Sequence, residues 1–105
     1  MAAEFNNDNF ETEVLGSEQP VLVDFWSEGC PPCKRLVPVI DALAEANDSA
    51  KVGKVNVSEN MDLAVKFGIS AVPTILVFKD GDVVERVTGY QDQAQLQSMI
   101  NPHVA

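Results

Sequence analysis

Cys30-Pro31-Pro32-Cys33 decides the fold through what stands on either side of it. An apolar segment, Val21 to Trp26, precedes it, and a long amphipathic segment, Lys34 to Ala46, follows it. The two thiols therefore sit where a strand hands over to a helix. The N–H groups of a helix's first turn have no carbonyl partners and carry partial positive charge, so a thiolate there is stabilised relative to the thiol. Cys30 falls at the capping position. Cys33 lies within the first turn, close enough for the sulfurs to bond, with its side chain turned further inward. One cysteine is offered and one is held back.

Working outward, Val21-Leu22-Val23-Asp24-Phe25-Trp26 is an apolar run broken by one acid, the pattern of a central strand covered on both faces. Asp24 is out of place in it. After the cysteines, Leu36, Val39, Ile40 and Leu43 recur at helical spacing, with Lys34, Arg35, Asp41 and Glu45 largely opposite. Pro38 is expected to kink this helix, at a cost of about 3 kcal/mol that packing must offset. Val52 to Val57 reads as a second interior strand, with Lys54 its odd residue.

Upstream, Asp8 and Glu11 have capping-box spacing ahead of Val14 and Leu15, and Gly16 supplies a stop, predicting a short first helix after a stub of strand at Ala3 to Phe5. Downstream, Asn60 is expected to cap a short helix carrying Met61, Leu63, Ala64 and Phe67, closed by Gly68. Thr74 to Phe78 reads as a third strand, Asp80-Gly81 as a hairpin turn, and Val83 to Val87 as the returning strand, ended by Gly89. Asp92 opens a last helix with Leu96, Met99 and Ile100 on one face, stopped by Pro102. Parallel strands with crossover helices, then an antiparallel pair and a terminal helix, predict an α/β fold: a mixed sheet of four to five strands with helices on both faces.

The 105 residues suit one domain spanning 1–105, and 46% hydrophobic with 22% charged residues is ordinary for a globular chain. The net charge of -9 is not ordinary, and it argues against nucleic acid and against an anionic membrane surface as partners. The opening Met1-Ala2-Ala3-Glu4-Phe5 has neither the basic nor the apolar region of an export signal, so a cytoplasmic location is expected. In a reducing compartment a lone CxxC pair is catalytic or metal-binding rather than structural. Zinc wants four ligands, and the single histidine, His103, lies near the tail, so we expect no metal.

These residues resemble the thioredoxin family. The likeness covers nearly the whole chain from Asn9 to Ile100: the Val-Asp-Phe-Trp strand at Val23 to Trp26, the motif ending in Lys34, Pro38, Lys54, Val72-Pro73-Thr74, Lys79-Asp80-Gly81 and Gly89. The resemblance implies a thioredoxin fold and a thiol-disulfide oxidoreductase, reducing disulfide-containing target proteins and reduced in turn by an NADPH-dependent flavoprotein, thioredoxin reductase. Nothing in the sequence requires a cofactor in the protein itself, and a monomer is expected. By resemblance Cys30 attacks the target disulfide and Cys33 resolves the mixed disulfide, in keeping with exchange through an exposed thiolate. Asp24 is implied as the buried acid that deprotonates Cys33, its pKa raised by desolvation and tempered by Lys54. Pro73 is implied to be cis, leaving the backbone of Val72 free to pair with an extended target segment, with Gly89 beside that groove. Trp26 is expected to pack under the motif.

Two departures stand at the motif itself. Members of the family usually carry tryptophan before the first cysteine and glycine after it, where this chain has Gly29 and Pro31. Gly29 withdraws an apolar contact for partners. Pro31 and Pro32 together delete two N–H donors that could face the Cys30 sulfur, leaving chiefly that of Cys33, and stiffen the turn. An oxidase or isomerase, and a non-catalytic scaffold, are the competing expectations.

Overall fold

The computed structural model describes residues 2–104. Five strands form one mixed sheet: β1 Ala3–Glu4, β2 Val21–Trp26, β3 Lys51–Asn56, β4 Thr74–Lys79 and β5 Asp82–Thr88, in the spatial order β1-β3-β2-β4-β5. β1, β3 and β2 run parallel; β4 is antiparallel to β2, and β5 returns beside it. The expected antiparallel pair is thus the β4–β5 hairpin. The sheet also reverses at β2–β4, a pairing that strand order alone does not specify.

Three α-helices, α1 Pro31–Ala46, α2 Met61–Lys66 and α3 Gln93–Ile100, join a short π-helical turn at Glu11–Leu15. Side chains alternate across a strand, so each strand feeds two layers. Val21, Val23, Phe25, Val55, Leu76 and Phe78 pack against Phe10 and Val14 of the first turn and Leu63 of α2. Leu22, Val52, Ile75 and Val77 pack on the opposite face against Leu36, Ile40 and Leu43 of α1 and Leu96 and Ile100 of α3. The expected helices on both faces are present. Gly53 lets the N-terminal stub lie flat on β3, since a Cβ there would stand 2.7 Å from the Ala3 carbonyl oxygen and run into the Phe5 ring.

Local signals were obeyed unevenly. Asp92 caps α3 in a full capping box, accepting from the Gln95 N–H at 2.8 Å while Gln95 Oε1 accepts from the Asp92 N–H at 2.8 Å. The box expected at Asp8 and Glu11 does not form. Asn6 takes that role instead: its Oδ1 accepts from the N–H groups of Asp8 and Asn9, each at 2.9 Å, and its carbonyl accepts from Phe10. Asn60 stands at the head of α2, yet its side chain turns away from the helix, accepting from the Asn7 N–H and donating to the Asn56 carbonyl. Met61 is no core residue. α2 has only six residues, and it buries Leu63 and Ala64 while leaving Met61 61% and Val65 76% exposed. α1 continues through Pro38, whose missing N–H leaves the Lys34 carbonyl without its helical donor.

Candidate active site

β2 ends at Trp26 and α1 begins at Pro31, so the cysteines occupy the strand-to-helix junction. Cys30 is the N-cap, in extended conformation, with prolines at the first two helical positions. Prolines suit those positions because the helix does not use their N–H groups. The first available amide is that of Cys33, and it donates to Cys30 Sγ at 3.2 Å. The next, that of Lys34, bonds the Cys30 carbonyl at 3.1 Å. A single backbone donor therefore faces the Cys30 sulfur.

Cys30 and Cys33 are joined as a disulfide. Their surroundings differ: Cys30 is 9% exposed and Cys33 only 1%. Cys30 Sγ lies 3.8 Å from the carbonyl oxygen of Val72, and the Val72–Pro73 peptide is cis. In the disulfide the sulfur has no proton, so this is a packing contact; once reduced, the thiol has an acceptor there. The Gly89 N–H donates to the Pro73 carbonyl at 2.8 Å, and Gly89 holds a φ of 97°, a conformation that favours glycine. The structure thus places Val72 beside Cys30 and ties Gly89 to the neighbouring Pro73.

On β2, Asp24 is 2% exposed and stands in register with Lys54 on β3. Among the described residues no ion pair joins them, and Asp24 Oδ1 has no hydrogen-bond partner in the protein. Burial pushes the Asp24 carboxyl up from 3.8 to about 7, with the Lys54 charge pulling the other way. Lys54 Nζ stands over the Trp26 ring, 5.8 Å from its centroid. The Trp26 indole N–H is also buried without a partner. Uncompensated polar groups of this kind collect at functional sites rather than in closed cores.

Gly29, at a φ of 75°, forms part of a cleft of about 470 Å³ with Trp26, Ser27, Glu28, Cys33, Lys34 and Val37. A second groove of about 220 Å³ runs from Val72 past Ile69 to Met61 and Val65. The contributions of Val37, Met61 and Val65 to these surfaces had no separate signal in the sequence, because their helical spacing equally suits a buried face. Among the described residues no group of three or more His, Cys, Asp or Glu side chains lies close enough to hold a metal ion.

A cysteine pair at the head of a helix, Cys30 nearer the surface and Cys33 almost wholly buried, in a molecule that also buries an acid whose pKa is raised to about 7, is equipped to trade disulfides. The chain falls among the thiol-disulfide oxidoreductases. The family model for thioredoxin matches residues 1–102. A thioredoxin of Porphyra purpurea is 40% identical over 98 residues, 92% of each chain. Thioredoxin 1 of Synechococcus elongatus is 41% identical over 105 residues, covering 99% of this chain and 98% of its own. A thioredoxin of Rickettsia felis is likewise 41% identical over 105 residues, 99% of this chain and 100% of the relative. The chain belongs to the thioredoxin family. Its sheet and helices form the thioredoxin fold, and it is an enzyme of the protein disulfide reductase type. Membership carries with it disulfide-containing substrates and, usually, a thioredoxin reductase. No helix among the described residues is long and apolar enough to cross a membrane.

Proposed function

We propose that the reduced protein works through Cys30 as nucleophile and Cys33 as resolving thiol. The Cys30 thiolate attacks one sulfur of a target disulfide; that bond breaks, and the other target sulfur leaves as a thiolate and takes up a proton. Asp24, ionised, then accepts the Cys33 proton. The Cys33 thiolate attacks Cys30 Sγ, the mixed disulfide breaks, and the second target sulfur leaves. Two electrons pass to the target, and the Cys30–Cys33 bond closes. The observation that carries this assignment is the asymmetry of the pair: Cys30 is the more exposed residue and its sulfur accepts from the Cys33 N–H, while Cys33 is almost wholly buried.

The other residues follow from their places. Lys54 tempers Asp24 across the register, and Trp26 packs beneath the motif with its ring against the Lys54 ammonium. Val72, Pro73 and Gly89 form the wall along which an extended target segment lies. Gly29, Pro31 and Pro32 make the rim of the motif and set how closely a partner approaches. The protein works as a monomeric single domain over 1–105 in the cytoplasm and is reduced by an NADPH-dependent thioredoxin reductase, in keeping with the acidic composition and family membership.

Insulin reduction tests this reading, run once with dithiothreitol and once with NADPH and thioredoxin reductase. Turnover is expected in both and is lost in Cys30→Ser. Turnover with dithiothreitol alone leaves the sulfur chemistry standing and removes the standard reductase as electron donor; none in either assay overturns the assignment.

A further inference from the structure

The cleft at Gly29 borders the redox disulfide through Cys33. Its apolar surface comes from Trp26 at the end of β2 and from Val37, which is 39% exposed on α1. At Gly29 itself a Cβ would meet nothing within 4 Å, so the backbone there is bare and open. Glu28 and Lys34 are the charged members of the lining. They oppose each other in sign, so the cleft has no net charge with which to select a charged group.

The reaction supplies the occupant. A target sulfur that reaches Cys30 brings its own neighbouring residues against Gly29, the residue before Cys30. We propose that the cleft is a specificity pocket for a large apolar side chain, aromatic above all, next to the reactive cysteine of the target protein. At about 470 Å³ it lies within the range that seats a ligand-sized group, and an aromatic ring finds there the Trp26 indole to pack against. The inference rests on the disulfide-exchange reading and narrows its substrates.

The test uses short peptides with one intramolecular disulfide, identical except for the residue beside each cysteine in turn, which is Trp, Leu, Ser or Glu. Reduction by the full-length reduced protein is followed chromatographically, and the readout is the ratio of second-order rates. We expect the order Trp, Leu, Ser, Glu, with about tenfold between Trp and Ser for the best flanking position. In Val37→Glu the Trp-to-Ser ratio is expected to fall to about two, because a charge now lines the pocket. A merely structural effect of the substitution would lower both rates and leave the ratio as it was. Equal rates for all four peptides, or an unchanged ratio in Val37→Glu, overturn the pocket while leaving the exchange chemistry intact. Inert peptides together with inert insulin overturn both.

Discussion

On one face of the sheet Phe5, Phe10, Phe25, Phe67 and Phe78 close over one another, with ring centroids 5.1 to 6.4 Å apart in tilted and edge-on contacts. On the other face the layer is aliphatic, from Leu22 to Ile100, and it runs up to a buried carboxyl, Asp24, beside Lys54. Both faces are fed by β2: Val21, Val23 and Phe25 go to the aromatic side, Leu22, Asp24 and Trp26 to the side of α1. A small chain separates its tasks in this way. Rings that satisfy one another supply stability on the closed face, so the other face can hold a group whose burial costs stability.

Substitution on the closed face should cost the most. Phe10 is 1% exposed and touches four other rings, so Phe10→Ala is expected to cost about 3 to 5 kcal/mol in denaturant unfolding. The fraction that stays folded should reduce insulin at the parent rate. A loss of turnover per folded molecule would mean that the two faces are not separable.

Nearly as large, and opposite in sign, is Asp24→Asn. In the folded protein Asp24 holds its proton up to about 7, but in the unfolded chain only up to 3.8. Between those values the folded state binds more protons, so the Asp24 contribution makes stability fall as pH rises through the window; the penalty is complete above 7 and absent below 3.8. It is on the order of 4 kcal/mol. Asp24→Asn should therefore unfold at higher denaturant than the parent in mild alkali, with the gain disappearing in acid. The same variant should slow the resolving step and erase an inflection near 7 in the pH dependence of turnover, where the parent rises as the base ionises. A gain in stability that is independent of pH would place the cost in shape rather than charge.

Smaller is Lys54→Met, which removes the charge that holds the Asp24 carboxyl down. The inflection should move to higher pH with its amplitude kept; an unmoved inflection would leave Lys54 to the Trp26 ring alone. Smallest is Pro31→Gly, which restores one backbone donor beside Cys30. Alkylation of the reduced variant at neutral pH is expected to be faster than that of the parent by a factor of about two to three. An equal or slower rate would show that stiffness of the turn outweighs the missing N–H.

The sequence disclosed the active-site framework because backbone chemistry writes it locally. The strand-to-helix junction, the prolines at the head of α1, the Asp80-Gly81 turn and the Asp92 cap each depend on neighbours within four residues, and each stands where expected. Asp24 and Lys54 were visible as polar residues inside apolar strands. What sequence left open depended on partners far along the chain. The Asp8 box lost to Asn6, whose amide can accept two N–H groups in a tight turn, and Asn60 turned to Asn7, fifty-three residues away. Met61 had the spacing of a core residue, but a helix of six residues has too narrow a buried stripe to include it. The clefts at Gly29 and Val72 arise where separate elements meet, and no single window contains them.

The two prolines at the head of α1 have a kinetic consequence. With their φ angles fixed and the Cys33 amide on Cys30 Sγ in the disulfide, Cys33 in its proposed resolving role would have few conformations in which to wander from the bond it attacks. Closure of the ring then runs at a high effective concentration, against which a thiol in bulk solution competes poorly. On the proposed mechanism a covalently captured target is for that reason a short-lived species, and the enzyme would spend little of its cycle tethered to a half-reduced partner.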